Sequence, residues 1–140
     1  LALEGALKLK ELSYIHAEAY AAGELKHGTL ALISDETPVI SVALQQKTFD
    51  KTMSNTEEMI SRMVDENGDI SGAKVLAVVQ KGQQNVSAKI HHVIELPVCP
   101  DFVSPVLAAI PLQLIAYFTA LERGCNIDKP RNLAKSVTVE

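Results

Sequence analysis

Glu4, Lys8 and Glu11 stand four and three residues apart in a stretch free of proline. On a helix that spacing stacks them on one face and sets a lysine ammonium between two carboxylates. A carboxylate so placed can act as a base, and one base facing two adjacent carbons is enough to move a proton between them. The same spacing also fits a solvent-facing salt-bridge stripe worth a few tenths of a kcal/mol. His27 precedes Gly28; histidine exchanges protons near neutrality, and the glycine gives its loop freedom to project. Alone, such a histidine is simply exposed. Lys135 follows Pro130, which blocks a helix, in a tail without a core pattern. Read from its surroundings alone, it is an exposed lysine on a frayed end.

Other polar residues carry less. His16, Glu18, Glu24 and His27 have no His-x-x-x-His spacing and no cysteine among them, so no metal site is expected. His91 and His92 are adjacent in a strand-like segment, where their side chains point to opposite faces, and read as an exposed strand edge. Cys99 and Cys125 form no Cys-x-x-Cys pair and read as small core or near-core residues of a reduced, cytoplasmic protein.

The elements that must position these groups follow from periodicity. Leu3, Ala6, Leu7, Leu9, Leu12, Ile15 and Ala19 recur at three- and four-residue spacing, predicting a mostly buried helix over residues 1 to about 21 that stops at Gly23. Tyr14 and Tyr20 read as helix-packing residues. Pro38 to Leu44 is β-branched and nearly all apolar, predicting a central parallel strand covered on both faces. A helix is expected from Lys47 to about Val64, then a loop at Asn67-Gly68-Asp69. Lys74–Val79 and His92–Pro97 read as further strands, and Ser104 to Arg123 as a helix ending near Gly124. Strands alternating with helices predict an α/β fold built on a mainly parallel sheet.

Composition narrows the partners. With 13 basic and 17 acidic residues, a net charge of −4 and no basic run, nucleic acid is not expected. The apolar stretch Val106–Phe118 is broken by Pro111 and Gln113 and falls short of the ~20 residues of a membrane span, so a buried helix and no membrane are expected. Hydrophobic residues at 47% and charged residues at 21% indicate a folded globular core.

Two strings say more than their periodicity. Leu3-Glu4-Gly5-Ala6-Leu7-Lys8-Leu9-Lys10-Glu11, continuing through Ser13-Tyr14-Ile15-His16-Ala17-Glu18-Ala19-Tyr20-Ala21-Ala22-Gly23-Glu24-Leu25-Lys26-His27-Gly28, and Arg131-Asn132-Leu133-Ala134-Lys135-Ser136-Val137-Thr138-Val139-Glu140 resemble the C-terminal part of the glutamine–fructose-6-phosphate aminotransferase (glucosamine-6-phosphate synthase) family. Pro111-Leu112-Gln113-Leu114 belongs to the same likeness. Residues 45 to 95 match only in their pattern of elements, with a few extra residues around Asn67–Ser71, and Thr29 stands where the family usually has proline.

The resemblance implies a three-layer sandwich of the sugar-isomerase (SIS) type, flavodoxin- or Rossmann-like, lacking its first strand. Residues 1–140 would be the second SIS subdomain, truncated at its N-terminus, with residues 126–140 as an active-site tail. Leu1 lies inside an apolar-periodic pattern with no capping residue before it, so the chain is expected to be a fragment. The resemblance makes Glu11 the isomerisation base, with Lys8 beside it contacting sugar hydroxyls or restraining the carboxylate. It makes His27 the group that opens the sugar ring, reaching the adjacent subunit's site in a homodimer. It places Lys135 at the open-chain carbonyl and Ala134 in backbone contact with the sugar. The substrate would be a sugar phosphate, fructose 6-phosphate or glucosamine 6-phosphate, with no cofactor. The missing glutaminase and first SIS domains would supply ammonia and the phosphate-binding loop, because no Gly/Ser/Thr-rich phosphate cradle is visible in this chain. Half a site, inactive alone, is the expectation. A non-catalytic sugar-phosphate-binding regulatory SIS module, or a pure dimerisation unit, are the alternatives; both make Glu11 and Lys135 dispensable.

Overall fold

Val75, Ala77 and Val79 alternate with Leu76, Val78 and Gln80 along one strand, and nearly all of them are buried. A strand buried on both faces needs cover above and below its sheet, and that requirement organises the larger part of the chain. The computed structural model describes residues 1–35, 37–61, 63–64, 70–131 and 133. It forms two compact units, Tyr20–Ala108 and Leu1–Ala19 with Ala109–Glu140.

In the unit Tyr20–Ala108, β1 (Pro38–Ala43), β4 (Lys74–Gln80) and β5 (His92–Leu96) are parallel, in the order β1-β4-β5. Val39 pairs with Val75 and Leu76 with His92. One face carries Val75, Ala77 and Val79, which pack against Phe49, Met53 and Met59 of α2 (Phe49–Ile60) and against Leu30. The other carries Leu76 and Val78, covered by Leu107 and Ala108 at the start of α3 (Ser104–Glu122). Helices on both faces of a parallel sheet make the α/β sandwich expected. A buried hydrogen bond of 2.8 Å between Ser41 Oγ and Thr56 Oγ1 ties β1 to α2.

Several boundaries depart from expectation. Among the described residues β4, not β1, is the central strand, because β1 has a strand on one side only. The second helix ends at Ile60, and Met63–Val64 (β2) pairs antiparallel with Ile70–Ser71 (β3). Its end has a physical cause. The Ala73 N–H donates to the Met59 carbonyl at 3.1 Å, so the crossing backbone takes an acceptor that a further helical turn would use. The loop expected at Asn67–Asp69 lies outside the described residues. His91 and His92 are exposed as expected, and His91 Nδ1 accepts from the Val75 N–H at 3.2 Å.

In the other unit, α1 (Ala2–Ser13) is shorter than expected and buries only Gly5, Ala6 and Ser13. It stops at Tyr14, whose backbone is left-handed (φ 58, ψ 23), rather than at Gly23. Gly5 faces Leu112 of α3: a Cβ there would stand 3.3 Å from the leucine methyls. Leu112, Ala116 and Ala120 recur every fourth residue and are buried, whereas Ile110, Leu114, Phe118 and Leu121 are exposed. The third helix is therefore buried along one face, not all round. By length and composition alone its 19 residues would be long and apolar enough to cross a membrane. It ends as predicted at Gly124, φ 66, where Gly124 N and Cys125 N reach back to the Leu121 and Ala120 carbonyls.

Candidate functional site

The first helix is rich in alanine, leucine, lysine and glutamate, good helix formers that hold their side chains in register. That register delivers the polar cluster. Lys8 Nζ donates to Glu11 Oε2 at 2.5 Å and lies 3.9 Å from Glu4 Oε1. Lys8 and Glu11 are 29% and 28% exposed, sheltered enough to hold one geometry and open enough to meet a small molecule. The contact engages Oε2, one of the two carboxylate oxygens able to take a proton.

The hydrogen bond to Glu11 raises the Lys8 pKa, burial opposes it, and the charges of Glu11 and Glu4 add to the rise. Since the folded value lies above the unfolded one, the stabilisation is fully present at neutral pH. It is lost only as the solution turns alkaline through the lysine range.

Just beyond this pair the end of α1 is secured from far along the chain. Ser13 Oγ donates to the Leu9 carbonyl at 2.7 Å, and Arg123 Nε donates to the Ser13 carbonyl at 2.9 Å, satisfying an acceptor that a helix end leaves open. Arg131 stacks its guanidinium 4.2 Å from the centre of the Tyr14 ring, and its backbone N–H donates to the Tyr14 hydroxyl at 2.7 Å. Tyr14, expected only to pack a helix, thus ends one and holds the chain that follows α3. Sequence spacing gives no sign of partners more than a hundred residues away.

In the unit Tyr20–Ala108, His27 closes the 3₁₀ turn Ala22–His27 and is 72% exposed, its Nδ1 lying 2.9 Å from Glu24 Oε2. Gly28 follows at φ 146, a conformation that favours glycine. Lys26 tethers this turn to α2 through Glu58 at 2.6 Å. An exposed pair of this kind is worth up to about 1 kcal/mol. Glu58→Gln is accordingly expected to speed amide hydrogen exchange over residues 22–27 by about 2- to 5-fold with little change in global stability; unchanged exchange there would discount the tether.

The structure thus brings Lys8 and Glu11 together and places His27 on an exposed turn of the other unit. Ala134 and Lys135 lie outside the described residues. Among the described residues no group of three or more His, Cys, Asp or Glu is arranged to hold a metal ion.

Residues 1–123, which include Lys8, Glu11 and His27, match the SIS domain. The chain belongs to the SIS-domain family. Over its full length this SIS domain is 52% identical to glutamine–fructose-6-phosphate aminotransferase [isomerizing] of Clostridium tetani and 54% identical to the Bartonella henselae protein of the same name. It spans 22% of the length of each of these relatives. Its fold is similar to that of the C-terminal domain of glucosamine-fructose-6-phosphate aminotransferase from Francisella tularensis, with TM-score 0.78 and 42% identity over 89% of this chain and 33% of that one. It is also similar to glucosamine-6-phosphate deaminase from Thermotoga maritima, with TM-score 0.66 and 32% identity over 96% of this chain and 35% of that one.

Proposed function

We propose that this SIS domain carries the isomerising groups of a cytoplasmic, homodimeric glutamine–fructose-6-phosphate aminotransferase. The longer enzyme would convert fructose 6-phosphate and glutamine to glucosamine 6-phosphate and glutamate for hexosamine biosynthesis. The observation that carries this reading is the Lys8–Glu11 pair, a half-sheltered carboxylate fixed by a cation, in a chain 52% identical throughout to an enzyme of that name.

The chemistry assigns each residue a task. His27, presented to the neighbouring subunit, moves a proton from the anomeric hydroxyl to the ring oxygen as the sugar opens. Lys135 then meets the exposed C2 carbonyl, with Ala134 offering its backbone to the sugar. Ammonia released from glutamine in another domain adds at C2 and water leaves, giving an imine. Glu11 takes a proton from C1 and returns one to C2, and the C1 hydroxyl proton passes to the nitrogen, so the C=N bond becomes C–NH2 while C1 becomes the aldehyde. Lys8 keeps the carboxylate in one orientation and contacts sugar hydroxyls.

The test is a splice. This 140-residue segment, substituted for the equivalent 22% of the Clostridium tetani relative, should support glucosamine 6-phosphate formation, and the segment alone should make none. A folded but inactive splice would refute the catalytic reading, and robust synthesis by the segment alone would refute the division of labour.

A further inference from the structure

Two hydrogen bonds at the end of α1 take no part in the chemistry above. The helix stops at Tyr14, whose left-handed backbone turns the chain aside, so the helical ladder ends before it can supply a donor to the Ser13 carbonyl. Arg123 Nε donates to that carbonyl instead, at 2.9 Å, and the buried Ser13 gives its own hydroxyl to the Leu9 carbonyl at 2.7 Å. Arg123 is itself held in place: its backbone N–H donates to the Thr119 carbonyl, and Gly124 N and Cys125 N close the end of α3 behind it. Glu11 lies between the two bonded carbonyls, two residues before Ser13, about 3 Å back along the axis and roughly 200° around it. Ser13 therefore faces the interior while Glu11 stays on the half-open side.

We propose that Arg123 is a positioning residue for Glu11, holding the last turn of α1 helical by taking the Ser13 carbonyl. The proposal rests on the reading of Glu11 as the isomerisation base. Its physical content is register. The contact between Lys8 and Glu11 exists only while residues 8 to 11 stay helical, and a terminal turn frays when its open carbonyls find no partner. A base that serves C1 and C2 in turn tolerates little displacement, since a shift of about 1 Å can cost roughly 100-fold in rate. Lys8 stands nearly a full turn closer to the middle of the helix, so its contacts with sugar hydroxyls survive a frayed end.

The measurement is steady-state kinetics of the full-length enzyme carrying this segment, with amide exchange over residues 10–13 alongside. Arg123→Met keeps most of the stem and removes the donor; it is expected to lower kcat about 10-fold with little change in the KM for fructose 6-phosphate, and to speed exchange in that turn. Two further variants separate the hydrogen bond from the charge. Arg123→Gln loses the charge but sets an amide nitrogen where Nε stood, and should keep kcat within about 3-fold of wild type. Arg123→Lys keeps the charge but sets a methylene there, and should lose about 5-fold. In a Glu11→Gln background Arg123→Met should cost less than about 2-fold more, because it acts through Glu11. Wild-type kcat in Arg123→Met, a higher kcat for Arg123→Lys than for Arg123→Gln, or a loss that multiplies in the Glu11→Gln background would overturn the proposal. Should Arg123→Met fail to fold, the order of Arg123→Gln and Arg123→Lys decides alone. Glu11→Gln by itself separates the two readings: undiminished synthesis there sinks the role of Glu11, whereas collapse there beside a normal Arg123→Met enzyme sinks only that of Arg123.

Discussion

Glu11→Gln in the full-length enzyme is expected to cut glucosamine 6-phosphate formation by about 10³-fold, some 4 kcal/mol in barrier height, with a much smaller effect on folding. The amide keeps the shape of the carboxylate and still accepts a hydrogen bond from Lys8, so the contact now 2.5 Å long survives in weaker form. The pair is about a quarter exposed, and the ion-pair energy lost with the charge is up to about 1 kcal/mol. What the amide cannot do is take a proton from carbon. The separating measurement is exchange of the C1 hydrogen of fructose 6-phosphate with deuterated solvent, which reads proton transfer without waiting for product. Exchange should collapse together with kcat. Should it persist within a few-fold of wild type, the base lies elsewhere and Glu11 belongs to a surface stripe. Lys8→Met makes the contrast: loss of a neighbour that orients the carboxylate and contacts hydroxyls should raise KM as well as lower kcat.

How far such a site can be read from sequence depends on how local its causes are. The Lys8–Glu11 contact follows from three-residue spacing on a helix of good formers, and nothing remote is needed to predict it. The strand Lys74–Gln80 and the end of α3 at Gly124 were legible for the same reason, since an apolar β-branched run and a glycine after an apolar helix act within a few residues. Tyr14 was not legible. A tyrosine in the left-handed region carries a local cost, and helical periodicity continues past it through Ile15 and Ala19. What overrides that periodicity is a set of contacts from Arg123 and Arg131, over a hundred residues on. The second helix misled in the same way: Met63 and Val64 continue its apolar period, but the backbone of Gly72–Ala73 crosses its end. Periodicity records what a segment would do alone and is silent about the chain that returns to meet it. The roles of Ala134 and Lys135 came from the resemblance of the tail, and those two residues lie outside the described part of the chain.

That returning backbone sets up the largest expected loss of stability. A Cβ added at Gly72 would stand 2.5 Å from the Met59 carbonyl oxygen and 2.6 Å from that of Ile60. Both are backbone atoms, so no side-chain rotation relieves the clash; either the last turn of α2 or the strand entering β4 must move. Gly72→Ala is expected to cost about 2–4 kcal/mol, in the range of overpacking and backbone strain. That is a fall in Tm of roughly 10 °C for a domain of this size. Gly23→Ala is the control. Nothing lies within 4 Å of a Cβ at Gly23, and its backbone is not left-handed, so that change should be neutral or slightly stabilising. Differential scanning calorimetry of the two variants beside wild type decides it: a Gly72→Ala transition within about 2 °C of the control would mean that the approach is looser than the geometry implies. The consequence extends to the site within the same unit. Met59 and Ile60 follow directly after Glu58, whose carboxylate holds Lys26 one residue before His27. A displaced last turn of α2 should therefore loosen the turn Ala22–His27 and speed its amide exchange at least as much as Glu58→Gln does. If the stability of α2 falls while that turn stays protected, the turn is held by its own 3₁₀ hydrogen bonds and by Leu25 against the core, and the tether to Glu58 is incidental.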